Sequence, residues 1–145
     1  MRGAGAGAAP GTPRARRWAL MAACVFGAPL PVLAQETVTT LDGVYTAEQA
    51  ARGKQIYQRS CVGCHALDWY QGDMVRAWAG APLFGLFEVI STKMPEDNPG
   101  SLSRRQYVDM LAYILELNDM PVGDQELSTG ASRLRQILFQ WRDPS

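Results

Sequence analysis

Five consecutive residues constrain this chain more than any other stretch: Cys61-Val62-Gly63-Cys64-His65. Two thiols at this spacing can each add to one of the two vinyl groups on the edge of a haem, and the adjacent imidazole then falls beneath the iron as an axial ligand. Cys, Cys and His do different jobs, so their order matters. A thioredoxin-like dithiol shares the C-x-x-C spacing, but it normally follows a strand and opens a helix. Here the residues before Cys61 have helical periodicity. A plain disulfide or two buried thiols beside an incidental histidine is the remaining alternative. The pattern predicts one covalent haem c on Cys61 and Cys64, with His65 on the iron. His65 is the single histidine of the 145 residues, which excludes most catalytic zinc sites.

A haem iron with one imidazole needs either a second protein ligand, for electron transfer, or an open site, for binding and chemistry. Without a second histidine, methionine is the candidate, because a thioether favours the ferrous form. Met110 lies on a helical apolar stripe, where methionine is normally core. Met74 follows His65 too closely to reach the far haem face without strain. Met94-Pro95 and Met120-Pro121 remain. Met94 sits in a loop between two helices, stiffened by Pro95 and Pro99, and stiffness favours a weak iron–thioether bond. Met120 lies just past a helix end that it can simply cover. Met94 is therefore the expected sixth ligand and Met120 the runner-up.

Charge is unevenly distributed. Lys plus Arg and Asp plus Glu both number 14, yet residues 1–34 carry four arginines and no acid, which leaves residues 35–145 at a net −4. So acidic a body gives no support for nucleic-acid binding. The arginines at 14, 16 and 17 precede a short apolar stretch and then Val32-Leu33-Ala34, the form of a secretory signal peptide cleaved after Ala34. Trp18 to Leu33 contains Pro29 and Pro31 and is shorter than the roughly 20 apolar residues that span a bilayer. An uncleaved anchor and a lipidated Cys24 are the alternatives. All three readings place residues 35–145 outside the cytoplasm, in the periplasm, with membrane contact at most transient or through partners.

The exported part reads as a small all-α domain. Thr46 and Gln49 predict a capping box opening a helix to about Gln58, with Gly53 in its interior. Pro82 predicts the first position of a short helix, and Lys93–Gly100 a proline-punctuated loop. Ser103 and Gln106 predict a second capping box and a helix from about Arg104 to Leu117. Residues 35–44 read as a surface lead-in, and Leu134–Trp141 as a semi-periodic tail. No strand pattern stands out.

On these residues the chain resembles class I c-type cytochromes. Ala51 to Cys61 is similar to that family's first helix, Trp78 to Ile90 to its middle segment, Met94-Pro95 to its axial loop, and Tyr107 to Leu115 to its C-terminal helix. The resemblance covers a core of about 46–127 within a domain of 35–145, leaving 128–145 as a tail. It implies a crossing of the first and last helices, with Gly53 and Tyr57 meeting Met110 and Tyr113, and it offers Trp78 and Arg76 as haem propionate contacts. The axial loop and the residues 118–127 are most similar to periplasmic cytochromes associated with quinoprotein alcohol dehydrogenases. The implied function is one-electron transfer rather than catalysis. The implied partners are a periplasmic dehydrogenase as donor and a terminal oxidase or other cytochrome as acceptor. A fixed haem subunit of a larger dehydrogenase or oxidase is the alternative, and an open-site haem protein a further one. One departure stands out: no proline occurs between His65 and Pro82, where the family carries the loop that orients its axial imidazole.

Overall fold

The structure is a computed structural model in which residues 37–141 are described; the segment 1–34 expected to be a signal peptide, with Cys24, lies outside them. In chain order it comprises β1 (Val38–Thr39), α1 (Ala47–Ser60), a 3-10 turn (Leu67–Tyr70), α2 (Asp73–Arg76), α3 (Leu83–Lys93), α4 (Arg104–Leu117), α5 (Ala131–Gln136) and β2 (Ile137–Leu138). It is a mostly helical domain, as the sequence predicts.

Helix α4 is the centre. The predicted capping box is complete: the Ser103 hydroxyl accepts from the Gln106 N–H and the Gln106 side chain accepts from the Ser103 N–H. From Tyr107 to Leu115 every residue of α4 is buried, so this helix is covered on all sides rather than along one stripe. Asp109 is buried with it and is compensated by a two-pronged pair with Arg52 of α1, at 3.0 Å for both bonds. That hydrogen bond raises the Arg52 pKa above the ordinary arginine value, and Arg52 also reaches Glu126 at 2.7 Å. A buried carboxylate left without its cation would be strongly destabilising.

Helices α1 and α4 cross at Gly53. A Cβ there would lie 2.0 Å from the Asp109 carbonyl oxygen and 2.7 Å from the Tyr113 Cβ. Backbone rests on backbone, which explains a glycine where the helix pays about 1 kcal/mol for it. Tyr57, one turn on, meets the Tyr113 ring at 5.9 Å between centroids.

The structure corrects three details of the sequence reading. The lead-in is more than surface: Thr40 is fully buried, as is Tyr45 just after it. Val38 and Thr39 pair in parallel with Ile137 and Leu138, and Thr40 and Gln140 extend the contact through hydrogen bonds of 2.7 and 2.9 Å. A two-residue strand carries no period-two signal, so nothing in the sequence announces this pair. Second, the first capping box is half formed. Thr46 caps the Gln49 N–H, but the Gln49 side chain turns inward and bonds both backbone groups of Leu127, at 3.1 and 2.7 Å. Third, Pro82 stands one residue before α3 as its cap. The tail covers the domain's own core, with Leu134, Ile137 and Phe139 buried.

Two outcomes are expected. Gly53→Ala should lower the unfolding free energy by about 2–3 kcal/mol, as overpacking does, measured by denaturant titration. Stability should also fall as pH rises from 10 to 12: burial, with Glu116 and Asp119 adding, pushes the Tyr45 hydroxyl from 10.0 up to about 12. The folded state therefore keeps a proton that the unfolded chain releases. Tyr45→Phe should flatten this part of the stability-against-pH curve.

Candidate functional site

The C-x-x-C-H motif is a turn wound off the end of α1. The N–H groups of Cys61 and Val62 both donate to the Tyr57 carbonyl, and His65 N–H donates to Cys61 at 2.9 Å. The Tyr57 hydroxyl then donates to the His65 carbonyl at 3.0 Å. These bonds aim the His65 ring into a cleft bounded by α3 and α4. The cleft encloses about 220 Å³ and opens to solvent on one side.

Cys61, His65, Met94 and Trp78 all line this cleft, and Cys64 lines its adjoining mouth together with Arg59, Glu96 and Asp97. Five residues from three segments of the chain are thus gathered at one place. Cys61 is half-buried and Cys64 exposed. Burial pushes the Cys61 thiol up, against the opposing effect of the Tyr70 hydroxyl facing its sulfur. Apart from Cys61 and His65 the walls are apolar or aromatic, including Leu86, Ile90, Met110 and Ile114. Met74 and Met110 line the cleft as well, whereas Met120 is buried elsewhere, beneath the Tyr45 hydroxyl, which donates to its carbonyl.

Of the two residues offered for propionates, Trp78 is at the cleft wall and packs over Gly85. Arg76 is not among the lining residues; its guanidinium lies 4.8 Å from the centre of the Trp141 ring. A cation over an aromatic face is a favourable arrangement in its own right, and it ties α2 to the tail.

Without the proline loop, the segment after His65 is held by side-chain amides. Asn118, buried at the end of α4, donates to the Tyr70 carbonyl at 2.8 Å and to the Ile114 carbonyl at 2.7 Å. Gln71 donates to the Leu117 carbonyl at 2.8 Å. Trp69 and Tyr70, thus fixed, flank the His65 ring at centroid distances of 5.4 and 5.8 Å. Sequence reasoning missed Tyr57, Tyr70 and Asn118. Tyr57 and Tyr70 were visible only as apolar or aromatic bulk, and Asn118 only as a helix stop.

The residues present fit a covalently held haem. Two thiols stand at the edge and mouth, an imidazole and a thioether face the same space, and the remaining lining is apolar. Asn118→Ala should cost about 1–3 kcal/mol by leaving the Tyr70 carbonyl unpaired, and it should raise the amide exchange rates of residues 66–71 specifically, measured by hydrogen exchange.

Residues 48–114 match the family model described as Cytochrome C oxidase, cbb3-type, subunit III. No curated protein and no solved structure matches the chain. The matched stretch runs from the first turn of α1 into α4 and contains every residue lining the cleft. Motif, cleft and family match together support a c-type cytochrome domain over residues 48–114, with haem c as its cofactor.

Proposed function

We propose that this protein is a periplasmic electron carrier that holds a single haem c between His65 and Met94 and passes one electron at a time. The observation that carries the reading is that an imidazole and a thioether from separate segments face one apolar cleft whose edge holds Cys61 and whose mouth holds Cys64. One C-x-x-C-H motif and one histidine support one haem. When bound, haem c supplies an iron that alternates between ferric and ferrous states. His65 would give its ring nitrogen to that iron and Met94 its sulfur, both kept through the redox change, so that little rearrangement accompanies transfer. Cys61 and Cys64 would hold the macrocycle edge through thioether bonds. The apolar walls would keep water away from the metal.

Contact with partners would use the exposed side of the motif. Val62 and Trp69 are 53% and 55% exposed, and Cys64 lies between them in the chain. Weak, short-lived docking suits a shuttle, and a net charge of −4 over residues 35–145 favours partners with a basic or neutral rim. A periplasmic dehydrogenase, such as a quinoprotein, would be the donor and the respiratory chain the acceptor. A second reading, a fixed haem subunit of an oxidase, is favoured by the description of the matching family model. Size-exclusion of a native periplasmic extract separates the two, since a carrier runs near its own mass and a subunit with its complex.

The exported protein should retain its haem on a denaturing gel, and its N-terminal residue should be Gln35. Met94→Ala should abolish the weak red-edge absorption band of the ferric form and lower the midpoint potential by roughly 0.1 V or more, part of the wide range that axial ligands set. An unchanged spectrum and midpoint in Met94→Ala would overturn the ligand assignment.

A further inference from the structure

Met94 stands at the end of α3 with extended backbone, its N–H on the Ile90 carbonyl at 3.2 Å. The residues after it, 96–101, are all exposed, so no buried apolar side chain holds the loop between Pro95 and Leu102. Within itself the loop turns through Asn98 N–H on the Pro95 carbonyl at 3.0 Å and Ser101 N–H on the Asn98 carbonyl at 3.2 Å; one hydroxyl ties it to the helix behind it. Tyr107 donates to the Met94 carbonyl at 2.7 Å and accepts from the Leu102 N–H at 3.4 Å. Both ends of the loop are therefore tied to the same oxygen atom. Tyr107 is itself buried in the first turn of the central helix, just after a complete capping box, and so its position is set by the most constrained element of the fold. Gly100, at φ +78°, adds a longer bond of 3.4 Å to the same Met94 carbonyl.

We infer that Tyr107 is a positioning residue for Met94: its hydroxyl fixes the backbone from which the thioether is presented and so sets how readily an outside ligand replaces that sulfur. The inference rests on the His65–Met94 reading given above. An iron–thioether bond is weak, and a weak ligand holds its place only when little freedom is lost on binding. Removing the hydroxyl leaves the Met94 carbonyl with the long Gly100 bond alone, while the ring of Tyr107 still fills the cleft wall.

The test is titration of the haem-loaded protein with imidazole at neutral pH, following loss of the red-edge band. Tyr107→Phe should bind imidazole about three- to tenfold more tightly than the parent, the consequence of losing one ordinary hydrogen bond. Tyr45→Phe is the control, because it removes the same kind of bond, a tyrosine hydroxyl on a methionine carbonyl at 2.7 Å, away from the cleft. It should leave imidazole affinity unchanged even if both variants unfold at a similarly lowered temperature. Parental affinity in Tyr107→Phe, or an equal shift in Tyr45→Phe, would overturn the inference. Should Tyr107→Phe fail to fold, Gly100→Ala strains the turn that supports the same carbonyl, and parental affinity there would equally overturn it. Met94→Ala distinguishes the two levels. If it keeps the red-edge band, the ligand assignment has failed; if it loses the band while Tyr107→Phe binds imidazole like the parent, only the role of Tyr107 has failed.

Discussion

The domain depends on the contact of Gly53 with the backbone of α4. With no side chain between them, α1 and α4 approach until the Asp109 carbonyl occupies the space a Cβ would need. The consequence reaches both ends of the cleft. The C-terminal end of α1 carries Cys61 and His65, and α4 carries Tyr107, Met110 and Ile114. One crossing thus sets the distance between the attachment motif and the wall that faces it. Arg52 and Asp109 fix the rotation of the two helices at the same level, with a directional pair where apolar packing alone would permit sliding.

Around that rigid crossing the cleft is finished by irregular segments. Each is held by a polar side chain reaching from a helix to a loop carbonyl: Tyr57 to His65, Asn118 to Tyr70, Tyr107 to Met94. A buried or half-buried hydrogen bond contributes only about 1 kcal/mol net, yet its loss leaves an unsatisfied carbonyl. Such bonds therefore specify where a loop sits more than they add to overall stability. The cleft combines a stiff helical frame with loops set by single atoms.

Much of this was legible because it is local. The Ser103–Gln106 pair and the stripe through Tyr107, Leu111 and Ile114 give α4 with its observed limits, and Gly53 within a helical run signals a close crossing. The five-residue motif names its own chemistry. What escaped was long-range and made by one or two residues at a time. Gln49 satisfies the capping-box pattern, yet burial against Leu127 competes successfully for its amide. Val38 and Thr39 find partners at 137 and 138, a pairing too short to leave a periodic trace. Arg76 reads as a free cation suited to an anion until the Trp141 ring is seen beneath it. Tyrosine hydroxyls are invisible to any pattern that counts tyrosine as apolar bulk.

The parallel pairing of β1 with β2 has a bearing on when the domain can close. Thr40 and Gln140 are 100 positions apart, so a chain that emerges from its N-terminal end presents β1 first and its partner last. The floor of the domain stays unlatched until the trailing segment arrives. Cys61 and Cys64 emerge in that interval, on a chain whose two strands are not yet paired.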